Sequence, residues 1–392
     1  MQTRIIVVLI ACIVGATVYI QAGSGIIRPP YPPPPDGDGP CQLTWLSQRT
    51  YAFTVPDAYV PSNPNYQYWN QYSFGSSVPN NAIMALCLLK LTSTGGSDVA
   101  FSPNDPGHGG LPTIDDAISP GFVVYSVGPG CDGTVFAYIP CAGRTVWANN
   151  PGYVKPVAVY VVGYITQSSS ELGYFFDFAT HDYPIVMMSG GVSWTNVSVS
   201  SIQPPHPSFH LIGLYVAVDS PVYQSIYFRA NGDSGAGLQW ESDLDEPEMH
   251  LLGLIPANDS GFQYHTSGTP INVYVEAFVF SCPASSGDRF TYPQGELLTL
   301  ITDGAWHTSP YTYNYKALLA APVQSPGAVN TYRTRASGAS NAQIWYKKGS
   351  CGSFSILTPL GANKAFEYWS NAMGDTSSNH RIYTGTVALQ GS

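Results

Sequence analysis

The sequence predicts an all-β protein, a set of tandem β-sandwich or jelly-roll domains following an N-terminal hydrophobic helix. Three observations predict it. The 392 residues include 33 Pro and 39 Gly, which leave little room for helices of ordinary length because Pro removes a donor and Gly disfavours helix interiors. Short runs rich in β-branched and aromatic residues recur between Pro, Gly, Asn and Ser, the pattern of strands. After residue 22 no sustained helical period separates these runs, as alternating strand-helix units would require.

Taken in order, Arg4 and the apolar run Ile5 to Ile20, broken only by Gly15 and Thr17, have the layout of a targeting segment. Residues 1–22 are read as a signal peptide cleaved near Ala22 or Gly23, or as a retained anchor. The run falls slightly short of the roughly 20 residues a spanning helix needs, and either fate brings residues 5–22 to a membrane. Residues 23–40 form a Pro-rich linker, with Arg28-Pro-Pro-Tyr-Pro-Pro-Pro-Pro35 as an extended spacer.

Three β domains are expected at 41–165, 166–282 and 283–392. The clearest strands are Ala82 to Leu91, Phe122 to Val127, Val157 to Ile165, Leu211 to Val218, Val222 to Phe228 and Ile271 to Phe280. Lys155-Pro-Val-Ala-Val-Tyr-Val-Val, Phe209-His-Leu-Ile-Gly-Leu-Tyr-Val and Thr269-Pro-Ile-Asn-Val-Tyr-Val-Glu look alike, each a long central strand with an aromatic in its middle. Gly295 to Thr302 and Ala362 to Asn371 are the remaining candidates for a helical turn or two.

Charged residues make up only 10% of the chain, against roughly 25% in ordinary soluble domains. Polar surface must then come from hydroxyls and amides, including 27 Tyr, which suits an exposed or assembled protein. The net charge of -10, without a dense run of Lys or Arg, excludes a nucleic-acid-binding footprint.

Outside the apolar segment, which holds Cys12, there are six cysteines: Cys41, Cys87, Cys131, Cys141, Cys282 and Cys351. In an oxidising compartment an even set reads as disulfides of undetermined connectivity. Cys131 and Cys141 stand close enough in sequence to close a local loop. The absence of a Cys-x-x-Cys pair removes the zinc-ribbon and thioredoxin readings. Asn196-Val-Ser198 and Asn258-Asp-Ser260 fit the glycosylation acceptor pattern, and use of either would mark an exposed loop.

The sharpest local motif is Gly232-Asp-Ser-Gly235, followed by Leu251-Leu-Gly-Leu-Ile255. Over about twenty-five residues this segment resembles the nucleophile region of trypsin-like serine proteases. The resemblance implies Ser234 as nucleophile, the backbone N–H groups of Gly232 and Ser234 as oxyanion donors, and Asp177 as orienting aspartate. The family's histidine precedes its aspartate, and that stretch offers only His108, in a Pro-Gly-His-Gly-Gly loop; His181, His206 and His210 come after Asp177. A serine without an imidazole partner is a poor nucleophile, so the motif is read first as a β-turn between strands, with Asp233 capping its own backbone.

The eight histidines include one His-x-x-x-His spacing, His206-Pro-Ser-Phe-His210, in which Pro207 disfavours the helix that would bring the two rings together, and no His-Glu-x-x-His, so neither a metal nor another cofactor is expected. Glu241-Ser-Asp-Leu-Asp-Glu-Pro-Glu248 concentrates carboxylates but lacks the spacing of a calcium loop, and is read as a solvated hairpin tip. Tyrosines and the eight Trp fill strand cross-pairs or form stacking platforms for sugars.

In the texture of its strands the chain resembles the jelly-roll surface and vertex proteins (capsid or turret) of icosahedral viruses, with Thr269-Pro-Ile-Asn-Val-Tyr-Val-Glu-Ala-Phe-Val279 closest to a closing jelly-roll strand. The resemblance implies an exported structural or attachment protein at a cell or virion surface. Such a protein self-associates, meets other surface or virion proteins, and engages a glycan receptor. The alternatives are an exported trypsin-like hydrolase, active or degenerate, and a glycan-binding module.

Overall fold

The computed structural model describes residues 39–56, 69–91, 97–103, 123–127, 133–150, 156–168, 186–188, 193–197, 210–219, 225–234, 238–241, 248–257, 262–266, 271–274, 279–281, 289–291, 296–313, 317–323, 330–340, 343–347, 356–372 and 381–390. These residues are almost entirely β-strand, in several antiparallel sheets, with one 3-10 turn at Gly75–Ser77 and no α-helix among them. The hydrophobic segment 5–22 and the Pro-rich linker up to residue 38 lie outside the described residues.

The first stretch of chain supplies β1 (Gly39–Val55), β2 (Asn70–Ser73), β3 (Ala82–Leu91), β4 (Ser97–Ser102), β5 (Val123–Val127), β6 (Gly133–Pro140), β7 (Thr145–Asn149) and β8 (Val157–Ser168). They form two four-stranded sheets, ordered β1-β8-β3-β6 and β2-β7-β4-β5. This is the eight-stranded, two-sheet wiring of a jelly roll. Phe53 of β1 stacks on Tyr72 of β2 with ring centroids 4.8 Å apart, so the two sheets meet through their inner faces.

The second stretch repeats the wiring. Its strands are β9 (Val186–Met188), β10 (Thr195–Val197), β11 (His210–Asp219), β12 (Ser225–Ala230), β13 (Leu238–Glu241), β14 (Glu248–Ala257), β15 (Phe262–Thr266), β16 (Ile271–Tyr274) and β17 (Val279–Ser281). The sheets run β14-β11-β16-β9 and β10-β15-β12-β13, with β16 and β17 both pairing β11 as one interrupted strand.

The third stretch repeats it again, with β18 (Arg289–Thr291), β19 (Glu296–Thr299), β20 (Asp303–Thr308), β21 (Ala317–Val323), β22 (Asn330–Ala336), β23 (Gln343–Lys347), β24 (Ile356–Pro359), β25 (Phe366–Ala372) and β26 (Arg381–Gln390). Its sheets run β18-β26-β21-β24 and β20-β25-β22-β23, β18 and β19 both pairing β26. With strands counted one to eight in each unit, all three have a first sheet ordered 1-8-3-6 and a second ordered 2-7-4-5. The buried hydroxyls of Thr334 and Thr358 meet at 3.3 Å between the two sheets of the third unit.

Burial follows sequence pattern strand by strand. In β15 the alternation Phe262, Tyr264, Thr266 buried and Gln263, His265 half-buried marks a strand with one covered face. In β3 every residue from Met84 to Leu89 is buried, and in β6 so is every residue from Phe136 to Pro140. Those two segments are continuous apolar runs, as strands covered on both faces are. β6 is an edge strand of its sheet, and β23 of the third jelly roll runs alongside it.

The three look-alike segments fall in β8, β11 and β16, all interior positions of first sheets. Two expectations are corrected. The region 295–302 contains β19, whose Glu296 to Thr299 pair with β26, and 362–371 contains most of β25. In β25, Phe366, Tyr368 and Ser370 are buried while Glu367, Trp369 and Asn371 are half-buried, a period of two that a strand satisfies and a helix does not.

Candidate functional site

In the second and third jelly rolls the outward face of the second sheet carries a set of interacting polar and aromatic side chains. In the second jelly roll β12 points Phe228 and Ala230 inward, and so turns Tyr227 and Arg229 outward. β15 adds Gln263 and His265 to the same face, and the edge strand β10 adds Asn196, with Trp194 just before it. The Arg229 guanidinium carbon lies 3.9 Å from the centroid of the Trp194 ring. Arg229 Nε donates to Gln263 Oε1 at 2.7 Å, and Gln263 Nε2 donates to Asn196 Oδ1 at 2.6 Å. The His265 ring sits between Trp194 and Tyr227, with centroids 5.3 and 4.8 Å away. Its Nδ1 is buried without a hydrogen-bond partner among the described residues.

The third jelly roll builds a related face from the equivalent strands. Register places Trp306, Trp369 and Arg333 in one row across β20, β25 and β22, and Thr308, Glu367 and Arg335 in the next. Arg333 lies 4.3 Å from the Trp369 ring centroid and Arg335 3.9 Å from that of Trp306. Arg335 Nε also donates to Glu367 Oε2 at 2.6 Å. Glu367 Oε1 accepts from the Gly338 N–H at 3.1 Å and the Ser337 hydroxyl at 3.4 Å. Burial raises the Glu367 pKa, but hydrogen bonds from Arg335, Gly338 and Ser337 with the arginine charge outweigh it, and the net shift is downward. Beside this face Asp303 accepts from His307 at 2.8 Å. That bond is the main reason its pKa lies below the ordinary value.

Each arginine thus covers one face of a tryptophan, a contact worth about 0.5–2 kcal/mol depending on exposure. The rings are held in place, and large flat side chains stay at the surface at little further entropic cost. Such Trp, Tyr and Arg surfaces are the residue types that dominate binding hot spots.

The residues singled out in the sequence fall elsewhere. Ser234 is exposed, in the connection between β12 and β13. The Asp233 N–H donates to the Ala230 carbonyl at 3.0 Å and Gly232 has φ +82, the geometry of a type II turn, in which the third residue must be left-handed. No imidazole is hydrogen-bonded to Ser234 among the described residues; Asp177, His108 and Gly235 lie outside them. The acidic stretch spans the end of β13 and the start of β14, with residues 242–247 outside the described set.

Cys87 and Cys141 are free, fully buried thiols. Burial pushes both pKa values well up, and for Cys87 the neighbouring Cys141 adds to the shift. Neither thiol forms a disulfide in this structure; Cys131, Cys282 and Cys351 and the Cys41 side chain lie outside the described residues. Asn196 is exposed, on an edge strand instead of the expected loop, and Asn258 lies outside. Among the described residues there is no cluster of three metal-ligating side chains, and no helix long and apolar enough to cross a membrane.

No protein-family model and no curated protein matches the sequence. Among solved structures the chain is similar to the N-terminal CBM22-1–CBM22-2 tandem domain of Xyn10C from Paenibacillus barcinonensis, at 7% identity and a TM-score of 0.17, over 91% of this chain and 92% of that one. A likeness of that size assigns neither a fold nor a function to this chain.

Proposed function

We propose that this protein is an exported structural or attachment component, at a virion or cell surface, that assembles through its jelly rolls. The observation that carries the reading is the threefold repetition of one eight-stranded wiring in a single chain. Jelly rolls of this kind serve as capsid and lectin domains, and the arginine-covered tryptophans on the second sheets of the second and third supply hot-spot chemistry for partner subunits. Fold alone does not imply function, so the reading rests on these faces together with the repetition. Self-association is the expected partner chemistry, with other surface proteins beside it and a membrane contact through residues 5–22.

A second reading, glycan recognition, is favoured by an exposed tyrosine packed on a half-buried one on the first jelly roll. Tyr51 is 55% exposed and its ring stands edge-on to Tyr160 at 5.6 Å, with Arg49 over the Tyr160 ring at 5.7 Å.

Light scattering on the native, non-reduced protein tests the main reading. A defined oligomer supports it. A monomer at all concentrations, labelled at Ser234 by a fluorophosphonate, overturns it in favour of a hydrolase, and a monomer retained on a glycan array through Tyr51 overturns it in favour of sugar binding.

A further inference from the structure

We propose that Asn196 carries an N-linked glycan whose first sugar seats on the aromatic face beside it, against Trp194. The inference goes beyond the assembly reading and rests on one part of it, that the chain is exported. It stands on the polarity of the hydrogen-bond relay across the second jelly roll.

Arginine has donors and no acceptor, so the Arg229 Nε–H at 2.7 Å from Gln263 requires the carbonyl oxygen of that amide to face it. The Gln263 amide nitrogen then points the other way, and it donates at 2.6 Å to Asn196. The atom it meets must be an acceptor, which is Oδ1. The relay therefore fixes the Asn196 amide with Oδ1 toward Gln263 and Nδ2 away from it. Nδ2 is the atom that bonds to sugar, and the residue is exposed, on an edge strand, in an Asn-Val-Ser acceptor sequence.

The seat is formed by neighbours on the same side. Val197 is buried with 5% exposure, so Asn196 before it faces outward. Trp194 joins the same outward group through Arg229 and His265. A sugar on Nδ2 therefore starts on the face that carries the half-buried indole, one side of which Arg229 covers. The apolar C–H face of a pyranose packs on such a ring while its hydroxyls stay in water.

The donor is an oligosaccharide carried on a lipid diphosphate, met in the export compartment with its transferase. Nδ2 bonds to the anomeric carbon and gives up one proton. The bond from that carbon to the diphosphate oxygen breaks, and the lipid diphosphate leaves with the electron pair. Oδ1 remains an acceptor afterwards, so the relay from Arg229 and Gln263 survives the modification.

The test begins with the full-length protein from its natural source, cut into peptides and sequenced by mass spectrometry. Sugar on Asn196 is expected, and an unmodified Asn196 throughout the preparation overturns the proposal. The seat is tested by trimming the glycan to its first sugar and comparing melting temperature with Ser198→Ala, which removes the acceptor sequence and keeps the Asn196 amide in its relay, in the native background and with Trp194→Ala. The trimmed form should melt about 4 °C above Ser198→Ala, the shift one ordinary contact gives a small domain, and the gap should vanish with Trp194→Ala. No gap, or a gap that survives loss of the indole, overturns the seat.

Discussion

Gly163 is the position where one added methyl should tell most about the first jelly roll. It lies in β8 opposite Trp45 of β1 and Leu86 of β3. A Cβ there would stand 2.8 Å from the Thr44 carbonyl oxygen and 2.9 Å from Cε3 of the Trp45 ring, so the indole lies across the glycine with no room beneath it. The ring can shift, but the carbonyl belongs to the strand backbone and cannot rotate away. Overpacking of this kind costs about 1–3 kcal/mol, and replacing a strand glycine returns about 0.5–1 kcal/mol. Gly163→Ala should therefore destabilise the unit by about 1–2 kcal/mol, a fall of roughly 4–8 °C in its melting temperature. Calorimetry reads the shift, hydrogen exchange in β1, β3 and β8 assigns it to this jelly roll, and Trp45 emission should move to the red as the ring lifts. An unchanged or raised transition with unchanged emission would refute the packing argument.

Truncating Phe228, which is fully buried beside Phe262 at a ring distance of 6.3 Å, should cost the second jelly roll about 3–5 kcal/mol; loss of exchange protection confined to β10, β12, β13 and β15 checks it. Cys87 and Cys141 should resist alkylation in the native protein and react at once in denaturant, because burial keeps both protonated; peptide mapping separates them from the other cysteines. The same raised values set a sign: the unfolded chain ionises these thiols first, so stability should fall as pH rises above the ordinary thiol range. Glu367 works in the opposite direction. Its lowered pKa gives stability that is present above the ordinary glutamate range and lost as pH falls through the folded value, and Glu367→Gln should flatten that acid limb of the third jelly roll's melting profile.

Much of the fold was legible because strands covered on one or both faces announce themselves. Ala82 to Leu91 is a strand with the predicted limits, and Val157 to Ile165 and Leu211 to Val218 are each extended by a few residues. The repeated Pro-Ile/Val-x-Val-Tyr-Val segments of β8 and β16 occupy the eighth position of two different jelly rolls. The common wiring stayed hidden, because pairing orders such as 1-8-3-6 join strands far apart in sequence and leave no local pattern. β19 and β25 imitate helical turns in the sequence because short strands of mixed polar and apolar residues match a helical period over four to seven positions.

The arginine-tryptophan faces were harder to see. Arg333-Thr-Arg335 and Glu367-Tyr-Trp369 show the two-residue spacing of an exposed face, which is a usable signal once the strands are known. Which tryptophan meets which arginine depends on register between strands, and register is set by the whole sheet. Gly232-Asp-Ser-Gly drew notice as a catalytic motif because a glycine-rich turn and a nucleophile loop share residue types. The left-handed Gly232 and the Ala230–Asp233 hydrogen bond place the first two residues of the motif in a turn.

The most direct test of assembly through these faces is hydrogen exchange on the native protein above and below its association concentration. The account predicts slower exchange on assembly in β12 and β15 and in β22 and β25, the strands bearing Arg229, His265, Arg335 and Trp369. Equal exchange in those four strands at both concentrations would contradict it.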